Sequence, residues 1–170
     1  MRGMVHVYTG NGKGKTTAAL GLALRAVGAG KKVFIAQFVK GMEYSELNSL
    51  AEIENITVKQ YGLDCFIIDK PKAKDLAAAR KGLKESAEIL KKSEFDMVIL
   101  DEANIAVYFE LFSIEELIEI VENRNEQIEV VITGRYAEPM LIDFADLVTE
   151  MRNVKHYYEQ GVKARIGIEN

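Results

Sequence analysis

The stretch YTGNGKGKTTAALG, residues 8–21, combines the residue types that bind phosphate. Three glycines give its backbone the freedom to turn tightly and to aim successive N–H groups inward: Gly10, Gly12 and Gly14. Lys15 can neutralise phosphate charge, and the hydroxyl of Thr16 can bind a magnesium ion. The helix expected to begin near Lys15 adds the positive end of its dipole. These residues favour binding of a nucleotide polyphosphate.

The spacing of this stretch misses the usual phosphate-loop pattern by one position. That pattern, G-x-x-x-x-G-K-[ST], requires glycine where this chain has Thr9. A glycine-rich surface turn with lysines for solubility is therefore the alternative. An apolar strand-like run precedes the glycines and an Ala/Leu-rich run follows them. This strand–loop–helix context favours a phosphate loop.

A second feature is the segment DMVILDE, residues 96–102, an apolar run that ends in two carboxylates. In a parallel α/β sheet, Asp101 and Glu102 would lie at the edge where ligands bind, beside the glycine loop. Either can hold magnesium directly or through water, opposite Thr16. The alternatives are a helix cap and, for Glu102, the orientation of an attacking water as in ATPases. Together the two features predict a site for a magnesium nucleoside triphosphate.

Short β-branched runs recur along the chain, and helical patterns lie between most of them. This alternation predicts an α/β fold with a mostly parallel central sheet and helices on both faces. With the glycine loop, it favours a single P-loop NTPase-type (RecA-like) domain over residues 1–170. The predicted strands are residues 4–8, 33–38, 56–61, 97–100 and 128–132.

Helix signals are clear at four places. Residues 16–27 are rich in Ala and Leu and end at Gly28. Residues 72–92 place Leu76, Leu83, Ala87 and Leu90 on one face. Ser113 and Glu116 have the spacing of a capping box, and Pro139 is expected in the first turn of a short helix that ends at Phe144.

Composition excludes several classes of function. The chain has 170 residues, 48% of them hydrophobic, and a net charge of −4, which argues against a broad nucleic-acid or anionic-membrane surface. The single cysteine, Cys65, excludes an internal disulfide. No apolar run approaches the roughly 20 residues that span a bilayer, and the first residues lack a signal-peptide pattern, so we expect a cytoplasmic location.

Five blocks of the chain resemble, in order and spacing, the P-loop class of corrinoid (cob(I)alamin) adenosyltransferases. The resemblance covers nearly the whole chain, and the displaced glycine of the loop is part of that family's form. The blocks are TGNGKGKTTAALG at 9–21, AQFVKG at 36–41, VILDEAN at 98–104, VVITGR at 130–135 and ADLVTEMRNVKHYYEQGVKARIGIE at 145–169.

The resemblance implies transfer of the 5′-deoxyadenosyl group of ATP to the cobalt(I) of a reduced corrinoid, cobalamin or a precursor, with release of triphosphate. Cobalt(I) is itself the nucleophile, so the protein would position C5′ and stabilise charge on the leaving triphosphate. The implied catalytic residues are Lys15, Thr16 and Glu102, and the implied magnesium ligands are Thr16, Asp101 and Glu102. The family holds its nucleotide with the triphosphate reversed relative to most P-loop proteins.

The resemblance also implies contacts to nucleotide and corrinoid. Arg25 would reach the nucleotide, with a surface ion pair as the alternative, and Arg135 would contact phosphate or corrinoid. Gln37 and Lys40 lie where the corrinoid should approach, with a solvated lysine as the alternative for Lys40. The implied loop residues are Gly10, Asn11, Gly12, Lys13, Gly14, Lys15, Thr16 and Thr17.

Two departures from the family concern the corrinoid. Members often carry a Gly-aromatic-Thr-Trp segment, whereas residues 62–66 read GLDCF and the chain has no tryptophan. Phe66 is the expected substitute. The chain also begins almost at its first strand, without the longer amino-terminal extension of some members. A homodimer and a flavodoxin-like or other reductase that supplies cobalt(I) are further implications of the family.

Other reactive residue types are expected to be structural. We expect packing roles for His6 and His156, core packing for Tyr157 and Tyr158, and no nucleophilic or cobalt-ligand role for Cys65. Two other functions stay open on the residues alone. One is a P-loop ATPase or kinase in which Glu102 activates water or a hydroxyl, and the other is a nucleotide-gated corrinoid carrier without turnover.

Overall fold

A parallel β-sheet forms the centre of the computed structural model, which describes residues 2–42, 44–63 and 70–169. Within these residues the sheet has six strands in the order β3-β2-β4-β5-β1-β6, and every neighbouring pair is parallel. The strands are β1 Val5–Thr9, β2 Val33–Phe38, β3 Ile56–Tyr61, β4 Met97–Asp101, β5 Glu129–Thr133 and β6 Leu147–Glu150.

Helices cover both faces of the sheet, as the sequence predicts. The helices are α1 Lys15–Gly28, α2 Ser45–Ala51, α3 Ala73–Lys91, α4 Ala103–Tyr108, α5 Ile114–Glu122 and α6 Pro139–Phe144, followed by a 3₁₀ turn at Tyr157–Gln160. On one face, Ala19 and Ala23 of α1 pack against Ile35, Ile99 and Val131 of the sheet. Buried residues of α3, α4, α5 and α6 cover the other face. The predicted α/β, P-loop-type architecture is confirmed.

The five predicted strands are all present, with bounds that differ by no more than one residue. One difference matters for the site, because β4 continues through Asp101 and so fixes its carboxylate at the edge of the sheet. The sequence did not reveal β6, α2 or α4. No helix among the described residues is both long and apolar enough to cross a membrane.

The predicted helix ends are largely confirmed, but one predicted core residue is wrong. Ser113 Oγ accepts a hydrogen bond from the Glu116 amide at 3.2 Å, and the Glu116 carboxylate accepts one from the Ser113 amide at 2.8 Å. Pro139 begins α6 as expected. Leu76, predicted to share the buried face of α3, is 41% exposed. It lies two heptads before Leu90, and an α-helix drifts by about 20° per heptad, which moves Leu76 off the buried face.

Two glycine substitutions in helices should change stability in opposite directions. A Cβ at Gly82 of α3 would lie 2.5 Å from Cγ and 2.8 Å from Cβ of Tyr61 in β3. Gly82→Ala should therefore lower the free energy of unfolding by about 1–3 kcal/mol. Gly21 of α1 has no neighbouring atom within 4 Å of such a Cβ, so Gly21→Ala should raise it by about 0.5–1 kcal/mol.

Urea unfolding of both variants beside the wild type measures the two changes. Equal effects of the two substitutions would show that α3 does not pack on Tyr61 as closely as these distances require.

Candidate functional site

The glycine loop connects β1 to α1 and leaves the start of α1 open. Gly14 precedes the helix with φ of 114°, a left-handed conformation that side chains disfavour. The Gly12 amide donates to the Met151 carbonyl at 2.7 Å, and a Cβ at Gly12 would lie 2.8 Å from backbone atoms of Met151 and Arg152. No side chain of the described residues caps α1. Its first amides are therefore available to an anion.

Lys15 points its ammonium group into this loop. Its Nζ donates to the carbonyls of Gly10 and Gly12, each at 2.8 Å, and the residue is only 7% exposed. Burial lowers the pKa of Lys15, and the positive charge of Arg135 lowers it further, while Glu102 and Asp101 act in the opposite sense. Two of the three N–H donors have partners among the described residues, so the third can bind an incoming phosphate oxygen.

Asp101 connects four elements at the carboxyl edge of the sheet, and it is only 1% exposed. Its Oδ1 accepts hydrogen bonds from Thr16 Oγ1 at 2.9 Å and Thr133 Oγ1 at 2.7 Å. Its Oδ2 accepts from Lys40 Nζ at 2.8 Å and, more weakly, from Gln37 Nε2 at 3.4 Å. Residues from β2, the turn after β2, α1 and β5 thus converge on one carboxylate.

Lys40 is the cation of this cluster. Its Nζ also lies 3.4 Å from Thr16 Oγ1, and its side chain is 13% exposed, so a freely solvated lysine is excluded. Burial acts to lower the pKa of Lys40, but the adjacent carboxylate of Asp101 outweighs it and raises the pKa. Lys40 is therefore charged at neutral pH. The ammonium contacts two of the three side chains that are predicted to bind magnesium, Thr16 and Asp101.

Glu102 immediately precedes α4 and has a left-handed backbone conformation, with φ of 58°. Its amide donates to Thr133 Oγ1 at 3.0 Å, but its carboxylate forms no capping hydrogen bond within the described chain. The helix-cap alternative therefore does not account for this carboxylate. Burial and the like charge of Asp101 raise the pKa of Glu102. The carboxylate is close enough to Lys15, Lys40 and Arg135 for their charges to offset part of that rise.

The remaining predicted contact residues lie at the periphery or have structural partners. Asn11, Thr17, Arg25 and Arg135 are exposed. The charge of Arg25 acts on Tyr8, and no ion pair of Arg25 is present among the described residues. Gln37 is fully buried and donates a weak hydrogen bond to Asp101, and its contact with a corrinoid stays a prediction.

Lys13 has partners that the sequence did not suggest. Its ammonium contacts Tyr157, Ile168 and Glu169, which lie about 150 residues further along the chain. Thr133, which bonds to Asp101 and to the Glu102 amide, is missing from the predicted site residues. The sequence signal that could have identified this residue is its position at the end of an apolar run, directly before Gly134 and Arg135.

The two histidines expected to be structural have partners in the chain, but the two tyrosines expected in the core lie outside it. Tyr157 is half-buried and belongs to neither apolar cluster. His6 Nε2 lies 2.7 Å from Glu129 Oε1, across β1 and β5, and His156 Nδ1 accepts from the Tyr158 amide at 3.1 Å. Tyr158, expected in the core, is 74% exposed because it lies on a surface 3₁₀ turn. The predictions for Cys65 and Phe66 fall outside the described residues.

The oxygen donors of the site fit a magnesium ion. No group of three or more His, Cys, Asp or Glu side chains suited to a metal occurs among the described residues. Magnesium, however, commonly uses one or two carboxylates together with phosphate oxygens and water. Thr16 Oγ1 and the Asp101 carboxylate meet at 2.9 Å and already share a cationic partner in Lys40.

The chain is similar in sequence to known proteins over nearly its whole length. A family model described as ATP:corrinoid adenosyltransferase BtuR/CobO/CobP matches residues 1–170. A corrinoid adenosyltransferase of Escherichia coli K12 is 40% identical over 168 residues, which cover 99% of this chain and 86% of that protein. Corrinoid adenosyltransferase CobA of Salmonella typhimurium is 38% identical over 168 residues, with the same coverage. A corrinoid adenosyltransferase of Pseudomonas aeruginosa is 36% identical over 172 residues, covering 99% and 84%.

Proposed function

This chain belongs to the ATP:corrinoid adenosyltransferase family, and from that premise we propose that residues 10–17 hold the triphosphate of ATP while cobalt(I) attacks its C5′ carbon. The enzyme transfers the adenosyl group of ATP to a reduced corrinoid. The observation that carries the placement is the ammonium of Lys15, which lies inside a glycine loop at an uncapped helix start.

The reaction needs charge stabilisation and alignment, and it needs no protein base. A cobalt(I) electron pair forms the bond to C5′, and the electrons of the broken C5′–O bond leave with the triphosphate. No proton is transferred in this step. The loop amides, the start of α1 and Lys15 stabilise the developing negative charge, and their fixed positions avoid reorganisation during the reaction.

Thr16, Asp101 and Glu102 would hold a magnesium ion. When bound, magnesium would neutralise charge on the phosphate oxygens. Lys40 now contacts Thr16 and Asp101, so it would move toward the phosphates or the corrinoid as the ion binds. Arg135, exposed just after β5, is a further proposed contact to the phosphates or the corrinoid.

The proposed organisation and partners rest on the family. We propose a single domain over residues 1–170, a homodimer and an external reductase, flavodoxin-like or other, that supplies cobalt(I). Analytical ultracentrifugation tests the homodimer directly.

An anaerobic assay tests the proposed function. The protein is mixed with ATP, Mg²⁺ and chemically reduced cobalamin, and the absorbance of alkylated cobalt is followed while the phosphate products are identified. We expect one triphosphate for each cobalt–carbon bond. Release of orthophosphate or ADP at a rate that does not depend on the corrinoid would instead indicate an ATPase or kinase. Tight product binding with negligible turnover would indicate a carrier.

The raised pKa of Glu102 predicts a specific pH dependence of stability. A carboxyl whose folded pKa exceeds its ordinary value of 4.5 binds protons more tightly in the folded state. Its contribution to the free energy of unfolding is therefore present at low pH and is lost as pH rises from 4.5 through the raised folded pKa. The amide of Glu102→Gln does not ionise, so this variant does not lose stability in that way. The free energy of unfolding of the variant should therefore rise relative to that of the wild type as pH increases from 4 to 8.

Urea unfolding at several pH values measures this difference. Glu122→Gln, which removes an exposed carboxylate at the end of α5, is the matched control. A constant difference between wild type and Glu102→Gln across the range would contradict the electrostatic assignment.

A further inference from the structure

The C-terminal tail, defined here as residues 156–169, contacts the glycine loop through Lys13. The ammonium of Lys13 donates to Glu169 Oε1 at 2.7 Å, to the Ile168 carbonyl at 2.7 Å and to the Tyr157 hydroxyl at 3.2 Å. An ammonium has three N–H donors. All three are therefore engaged by the tail, and none is left for a phosphate.

Glu169 is itself held in place by the tail. Its Oε2 accepts from the Arg165 amide at 2.8 Å, and its Oε1 lies 3.2 Å from Arg165 Nη2. The Tyr157 hydroxyl donates to the same Oε1, and the Arg165 guanidinium lies 4.9 Å from the centre of the Tyr157 ring. Hydrogen bonds from Arg165, Lys13 and Tyr157 lower the pKa of Glu169. The group that contacts the loop is thus an ionised carboxylate in a defined local structure.

This carboxylate and a polyphosphate would compete for the same cation. Lys13 lies between Gly12 and Gly14, in the loop that binds the triphosphate in the proposed function. A carboxylate and a phosphate both offer anionic oxygens to an ammonium. Glu169 at the loop also repels an approaching polyanion, because like charges raise the energy of the bound state. Both effects oppose nucleotide binding while the tail is docked.

We propose that Glu169 occupies the place of a phosphate oxygen on Lys13 in the nucleotide-free protein, so that binding of the polyphosphate releases the tail from the loop. This inference rests on the proposed function of the loop. Glu169 would then influence the affinity for ATP although the residue lies outside the glycine loop. The conformation of the tail would also depend on whether a polyphosphate is bound in the loop.

The experiment uses inorganic tripolyphosphate and ATP as probes with the full chain. Calorimetry gives the dissociation constants for wild type, Glu169→Gln and the control Glu122→Gln, which removes the same charge from the end of α5. Hydrogen exchange of residues 156–169 is measured with and without tripolyphosphate. We expect Glu169→Gln to bind both probes about two- to fivefold more tightly, the range for an exposed ion pair. We expect the control to match wild type.

The tail amides give the second expected result. Exchange at residues 156–169 should rise when tripolyphosphate saturates the wild type, and in Lys13→Gln it should be fast without any probe. Unchanged or weaker binding by Glu169→Gln, or tail exchange that falls on binding, would overturn the proposal while leaving the loop assignment intact. Failure of wild type and Glu169→Gln to bind either probe would overturn both.

Discussion

Lys15→Ala is expected to lower the rate of cobalt–carbon bond formation by about 10²–10³-fold, the range for loss of one pre-positioned charge-stabilising donor. The ammonium of Lys15 lies 2.8 Å from the carbonyls of Gly10 and Gly12, on the inside of the loop. A triphosphate bound there gains negative charge as C5′–O breaks, so the donor stabilises the transition state more than the substrate. The rate constant at saturating ATP should therefore fall more than ATP affinity does.

The fold should survive this substitution. Burial lowers the pKa of Lys15, because the charged ammonium is partly removed from water at an energetic cost. Removal of the charge also removes that cost, so thermal unfolding should change little. Lys31→Ala, which removes an exposed lysine just beyond the other end of α1, is the matched control. A rate within tenfold of wild type for Lys15→Ala would contradict the placement of the triphosphate in this loop.

Much of the fold and the centre of the site follow from local sequence patterns. The apolar runs predict β1 to β5 to within a residue because buried parallel strands need continuous apolar segments. The meeting of Thr16 with Asp101 follows from one topological rule, that the carboxyl ends of parallel strands share an edge. The resemblance to a known family supplied the substrate, which neither rule can give.

The features that escaped prediction depend on contacts between distant parts of the chain. β6 is only four residues long, LVTE, which is too short for its apolar residues to mark a strand, and all four residues are exposed. Its pairing with β1 makes it a strand. Nothing in the letters around Lys13 indicates that Glu169 is its partner, because the two are 156 positions apart. The ion pair between Lys40 and Asp101 spans 61 positions, and the sequence left Lys40 undecided between ligand contact and solvent for the same reason.

Asp101→Asn should be the most destabilising change in the site. The carboxylate is 1% exposed and accepts hydrogen bonds from Thr16, Thr133 and Lys40. Removal of its charge leaves the ammonium of Lys40 largely buried without its counterion. Loss of one partner of a buried pair costs about 3–5 kcal/mol, and we expect a decrease in the free energy of unfolding of that size.

A double-mutant cycle with Lys40→Met separates the ion pair from the hydroxyl contacts. Lys40→Met keeps the apolar part of the side chain and removes the charge, so Asp101→Asn should cost less in that background, by about 0.5–3 kcal/mol if the pair is coupled. Urea unfolding measures all four proteins. Equal costs in both backgrounds would show that Asp101 is stabilised mainly by Thr16 and Thr133, and that its ion pair with Lys40 adds nothing to stability. Coupling would show that the ammonium of Lys40 stabilises the Asp101 carboxylate as an internal cation.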